Sequence, residues 1–189
     1  MNTELQLKYI KESEIMLKKD ILNSIIDVPD YPKKGVTFKD LTPILNNADY
    51  FNYVTSELVT YIKNNHPATT HIAAPESRGF WFGCAVAAMG CYGFVPFRKP
   101  GKLPRECTSV SFDLEYGKET LCVHTDALSE GDSVFVIDDV LATGGTLHAM
   151  EELIYELGVR MAGSAVVLEL TFLKGRKGLT NPLFALFSV

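Results

Sequence analysis

An α/β protein with a mainly parallel central sheet is what this sequence predicts, and three observations predict it. Short runs rich in β-branched and aromatic residues recur along the chain, and segments with helical spacing separate several of them. The most apolar run, Val134-Phe135-Val136-Ile137, is also continuous instead of alternating. Strands that alternate with helices imply parallel neighbours joined by crossovers, with helices covering both faces. A continuous apolar strand belongs in the middle of such a sheet, buried on both sides.

In chain order, residues 4 to 26 are rich in Leu, Ile, Lys and Glu, with Ile15, Leu22, Ile25 and Ile26 on part of an apolar face. They read as one or two helices that stop before the proline-broken segment 27 to 32. Residues 49 to 65 read as a further helix, with Phe51, Val54, Leu58 and Ile62 on one side. Strands are expected at 71 to 74, 93 to 97, 121 to 124, 133 to 137, 164 to 170 and 184 to 189, with helices near 79 to 90 and 146 to 157. In the second of these helices Leu147, Met150, Leu153, Ile154 and Leu157 share a face, and Gly158 suits its C-terminal cap. Residues 99 to 118 are polar and contain Gly and Pro, the composition of a mobile functional loop. With no internal repeat or low-complexity linker, 189 residues suit one domain, 1–189.

Composition narrows the class. A net charge of −5 argues against a general nucleic-acid binder. No apolar run approaches the length that spans a membrane, and Met1-Asn2-Thr3-Glu4-Leu5 opens without a signal peptide's apolar core. The cysteines at 84, 91, 107 and 122 have no Cys-x-x-Cys spacing, which favours reduced thiols and a cytoplasmic location.

The chemistry is concentrated in Val134 to Thr146. A strand leads into Asp138-Asp139, then into the small-residue loop Ala142-Thr143-Gly144-Gly145, and Thr146 opens a helix. Such a loop makes an anion cradle at a helix N-terminus, with carboxylates at its rim. Two carboxylates repel a phosphate unless they contact something else, and vicinal hydroxyls are the obvious partner. A ligand with both phosphate and sugar hydroxyls satisfies both halves. The Walker A alternative fails, because Gly101-Lys102 has Pro96 in place of the first Gly and Leu103 in place of the hydroxyl residue.

This segment resembles the signature by which type I phosphoribosyltransferases bind phosphoribosyl pyrophosphate (PRPP). Four more segments, Pro32 to Asp40, Glu76-Ser77-Arg78-Gly79-Phe80, Phe97 to Pro104 and Leu114-Glu115-Tyr116-Gly117-Lys118, resemble the adenine-specific family in the same order. The resemblance spans roughly residues 17 to 189 and implies the type I fold: a parallel sheet flanked by helices, a helical region at 1–26, a small hood that includes about 27–45, and a flexible catalytic loop at 99–118. It implies adenine and PRPP as substrates, AMP and diphosphate as products, and a homodimer. Magnesium would be held mainly by PRPP oxygens and water, with no metal site of the protein's own.

The same resemblance distributes the roles. Ala142, Thr143, Gly144, Gly145 and Thr146 would anchor the 5′-phosphate, and Asp138 and Asp139 the ribose hydroxyls. Arg78, Arg98, Lys99 and Lys102 would handle diphosphate, with a non-proline cis peptide at Glu76-Ser77 in the turn before Arg78. Phe38 would stack on adenine beside Thr37 and Lys39, with Leu170 as a further wall. Glu115 would approach adenine N7 and help N9 become a nucleophile, with Tyr116 closing the loop. Two rivals stand beside this reading: a sibling enzyme for another purine base, and a non-catalytic PRPP-binding regulatory module.

Overall fold

The computed structural model describes residues 3–114 and 117–189. It divides into two compact units, Met1–Tyr53 and Val54–Val189.

The first unit opens with helix α1, Thr3–Ser24. A two-stranded antiparallel hairpin follows, β1 (Ile26–Pro29) against β2 (Thr37–Asp40), with Asp27 opposite Lys39 and Val28 opposite Phe38. The prolines that read as a break belong to this hairpin's turn. Tyr31–Pro32 is cis, the Tyr31 N–H donates to the Val36 carbonyl, and the Gly35 N–H donates to Asp30 Oδ1. Helix α2, Thr42–Asn46, leads to α3, Ala48–Asn65, whose residues from Val54 on belong to the second unit and whose first N–H groups at Asp49 and Tyr50 donate to the Asn47 side chain.

The second unit is built on a five-stranded parallel sheet of order β4-β3-β7-β8-β9. Its strands are β3 (His71–Pro75), β4 (Gly93–Phe97), β7 (Ser133–Leu141), β8 (Arg160–Glu169) and β9 (Leu183–Ser188). Helix α4, Arg78–Gly90, crosses from β3 to β4, and α5, Gly145–Glu156, crosses from β7 to β8. The continuous apolar run occupies the central strand, where Val134, Phe135, Val136 and Ile137 are fully buried. Leu147, Met150, Leu153 and Ile154 of α5 are buried with it, as their spacing predicts. That helix ends in a Schellman motif: Gly158, at φ 71°, donates to the Tyr155 carbonyl and Val159 to that of Ile154.

Two readings are corrected. The acid pair does not end its strand, because β7 continues through Asp138 and Asp139 to Leu141. Much of the expected loop at 99–118 is strand: β5 (Cys107–Leu114) pairs antiparallel with β6 (Gly117–His124). Val110 and Phe112 alternate there with Ser109 and Ser111, and Val110, Leu121 and Val123 join the core beside Phe97 and Met150. Among the described residues of that segment, the irregular stretch is the one between β4 and β5. Reciprocal backbone bonds between Arg98 and Cys122, 2.8 and 2.7 Å, tie this hairpin to the end of β4.

Candidate active site

From β3 the chain crosses one way to β4, and from β7 it crosses the other way to β8. The strand order therefore reverses between β3 and β7, and ligands of open α/β sheets bind in the crevice beyond the strand carboxyl ends at such a point. Residues 76–78 follow β3 and residues 142–146 follow β7, so the two motifs lie side by side.

Asp138 and Asp139 are both buried, 8% and 4% exposed. The Asp139 N–H donates to Asp138 Oδ1 at 2.8 Å, and Arg78 pairs through Nε with Asp139 Oδ2. Burial, and then the charge of Asp139, hold the Asp138 carboxyl well above the usual carboxylate range, while Arg78 pulls the other way. The helix after β3 approaches this pair closely. A methyl group on Gly79 would come within 3.0 Å of Asp138 Oδ1 and 2.6 Å of Pro75 Cδ. The Glu76–Ser77 peptide is cis, as expected.

The loop 142–144 turns into α5 at Gly144, which stands at φ 90°. Glycine is required there twice over. The left-handed backbone disfavours any side chain, and a methyl group would overlap the main chain of Gly175. A methyl on Gly175 would in turn overlap the Ala142 carbonyl, so the two backbones touch. The first N–H groups of α5 have no partner within the helix, and they carry its positive dipole end. Thr143 is exposed and Thr146 half-buried, and both bring hydroxyls to the loop.

The basic cluster is paired. Arg98 donates through Nε to Glu76 Oε2 at 2.6 Å and through a terminal nitrogen to the Lys102 carbonyl at 3.1 Å. The Lys99 N–H donates to Glu76 Oε1 at 3.1 Å, and Lys99 Nζ pairs with Glu119 at 3.0 Å. Burial alone would raise the Glu76 carboxyl, but the Arg98 and Lys99 hydrogen bonds and the charges of Arg98 and Lys102 hold it below its ordinary value. Lys102 is exposed.

Of the remaining predicted residues, Leu170 is buried just past β8, its N–H bonded to the Leu141 carbonyl at 2.9 Å. In the first unit Phe38 lies edge-on to Tyr31 with ring centroids 5.2 Å apart, and Lys39 pairs with Asp27 at 2.6 Å across the hairpin. Thr37, at the start of β2, is exposed. Glu115 and Tyr116 lie outside the described residues. The roles of three residues escape sequence reasoning: Glu76, which gathers Arg98 and Lys99; Glu119; and Gly175, whose contact with Gly144 is backbone to backbone. For Glu76, its place one residue beyond a buried strand was a usable signal.

Among the described residues, no group of three or more His, Cys, Asp or Glu side chains could hold a metal ion. No described helix is long and apolar enough to cross a membrane.

The family model described as "Phosphoribosyl transferase domain" matches residues 54–179. The adenine phosphoribosyltransferase of Carboxydothermus hydrogenoformans is 50% identical over 162 residues, which are 86% of this chain and 94% of that protein. The crystal structure of the adenine phosphoribosyltransferase from Thermoanaerobacter pseudethanolicus matches with a TM-score of 0.87 at 44% identity, over 91% of this chain and 99% of that one. The Saccharomyces cerevisiae enzyme, complexed with an imino-altritol bisphosphate and adenine, matches with a TM-score of 0.86 at 34% identity, over 91% and 99% of the two chains.

Proposed function

This chain belongs to the phosphoribosyl transferase family, and from that premise we propose that it is an adenine phosphoribosyltransferase, joining adenine to PRPP to give AMP and diphosphate in purine salvage. The observation that carries the reading is the crevice between β3 and β7, where a buried acid pair adjoins a helix-N-terminal loop and Arg78. Names of relatives at up to 50% identity supply the base.

Each part of PRPP has a matching feature. The 5′-phosphate accepts hydrogen bonds from the N–H groups of 142–146 and from the Thr143 and Thr146 hydroxyls. Asp138 and Asp139 hydrogen-bond the ribose hydroxyls, and the negative charge that the pair carries favours the cationic character that develops at the sugar C1. Arg78 turns its guanidinium to the diphosphate, with Arg98, Lys99 and Lys102 on the neighbouring loop adding positive charge. Phe38 stacks on adenine, with Thr37, Lys39 and Leu170 around the base. As the C1–O bond breaks, diphosphate leaves with the bonding electrons. Adenine reacts with its proton on N7: the free pair of N9 forms the new bond to C1, and Glu115, hydrogen-bonded at N7, takes that proton and so makes N9 the better nucleophile.

Magnesium fits this donor set as an ion carried mainly on PRPP oxygens and water, with the hard oxygens of Asp138 and Asp139 as the chain's own donors nearby. When bound it neutralises diphosphate charge. We read both units as one phosphoribosyltransferase domain that works as a cytoplasmic homodimer.

A steady-state assay that follows diphosphate release with PRPP and each of adenine, hypoxanthine, guanine and xanthine tests the proposal. Turnover confined to adenine is expected. Preference for another base would reassign the substrate, and PRPP binding without release on any base would leave a sensor.

A further inference from the structure

The segment after β8 is folded back on itself and sewn to α5. Thr171–Leu173 forms a 3-10 turn, Lys174 follows in the left-handed region at φ 53°, and the chain reverses so that Arg176 faces Glu169. Glu169 is buried, 6% exposed, at the carboxyl end of its strand. Arg176 forks onto it, Nε to Oε1 at 2.7 Å and a terminal nitrogen to Oε2 at 2.6 Å, and its other terminal nitrogen donates to the Leu183 carbonyl at 2.7 Å. A two-pronged arginine–carboxylate pair fixes orientation as well as distance. The residue before the arginine is Gly175, which touches the backbones of Gly144 and Ala142. Further stitches run along the same face of α5. His148 Nε2 lies 3.2 Å from the Lys177 carbonyl, and Glu151 accepts from the N–H groups of Thr180 and Asn181 at 3.2 and 3.0 Å.

We propose that the Glu169–Arg176 pair is a positioning device for the phosphate loop, holding Gly175 against Gly144 so that residues 142–146 keep the aim of their N–H groups. The inference rests on the reading of that loop as the 5′-phosphate anchor. No side chain intervenes at the Gly144–Gly175 contact, so a shift of the turn passes directly into the loop. Neither Glu169 nor Arg176 needs to touch substrate for this.

Arg176→Met, Arg176→Lys and Glu169→Gln test it in the full-length enzyme. In Arg176→Met, KM for PRPP should rise about tenfold, while kcat and KM for adenine change by less than about twofold. Arg176→Lys should fall between that variant and the parent, and it reads the same quantity if Arg176→Met fails to fold. Ribose 5-phosphate affinity by calorimetry should weaken in step with KM for PRPP. Glu151→Gln loosens the same segment away from the turn, and it should lower Tm with KM for PRPP unchanged. A KM for PRPP within twofold of the parent in all three pair variants overturns the proposal, as does a change in kcat or in KM for adenine as large as that in KM for PRPP. An equal rise of KM in Glu151→Gln also overturns it. Thr143→Ala and Thr146→Ala separate the two layers of the argument. If they weaken ribose 5-phosphate binding and the pair variants do not, only the positioning role falls; if they too leave it unchanged, the loop reading falls with it.

Discussion

At the scale of residues, Asp138 of β7 and Glu76 after β3 pull stability in opposite directions as pH changes. Asp138 has a raised folded-state pKa, so the folded chain holds its proton more tightly than the unfolded chain does. That favours folding at low pH, and the advantage is lost as pH rises through the raised value. At neutral pH this preference for the proton opposes folding, because the unfolded chain releases that proton readily. Asp138→Asn should therefore raise Tm by a few degrees, roughly what 1 kcal/mol gives, while turnover falls. A scanning calorimetry trace with lower Tm would contradict this account. Asp139→Asn should leave the fold intact by circular dichroism and raise KM for PRPP about tenfold or more, since each lost charge-assisted hydrogen bond is worth about 1.5–3 kcal/mol. Glu76 has the other sign. Its folded-state pKa lies below the ordinary 4.5, so its contribution is present above that value and is lost as pH falls through the depressed one. The stability difference between parent and Glu76→Gln, measured by urea titration, should be clear at neutral pH and shrink as pH falls below the ordinary 4.5.

At the scale of elements, α5 and its loop decide most of the chemistry. Gly144→Ala adds a methyl where the backbone is left-handed and Gly175 leaves no room. It should cost about 1–3 kcal/mol from the backbone conformation alone and remove measurable ribose 5-phosphate binding. Urea unfolding and calorimetry on one preparation check both. The helix itself was legible in the sequence, because burial of Leu147, Met150, Leu153 and Ile154 imposes a periodicity that composition cannot hide. The central strand was legible for the same reason, with Val134 to Ile137 covered on both faces. Strand β5 was missed although Val110, Phe112 and Leu114 alternate with Ser109, Ser111 and Asp113, a period-two signal outweighed by the Gly and Pro before it. The arginine partners of Glu76 and Glu169 had no local signature. They depend on a strand crossing and on a tight reversal at Lys174, which spacing along the chain does not encode. Glu115 remains a prediction from resemblance. Glu115→Gln should lower kcat much more than it raises KM for PRPP, and an equal effect on both would reduce Glu115 to shaping its loop.

At the scale of the whole molecule, the family match at 54–179 falls within the second unit, Val54–Val189. That unit carries the phosphate, ribose and diphosphate candidates, while Thr37, Phe38 and Lys39 belong to the first. Chelation of magnesium should abolish diphosphate release and leave Tm of the ligand-free protein unchanged, because the ion is expected to arrive with PRPP. A drop in Tm on chelation would reveal a resident metal instead. Sedimentation equilibrium should give twice the 20.9 kDa chain mass.

The contact between Gly144 and Gly175 also has a meaning for biosynthesis. During translation the glycine turn after β7 emerges about thirty residues before the backbone it leans on. A nascent chain halted just before that later glycine leaves the exit tunnel should display most of its sheet, yet be unable to retain ribose 5-phosphate. Ligand capture would begin only when the reversal at Lys174 has cleared the exit tunnel, so phosphate recognition is among the last properties this polypeptide acquires.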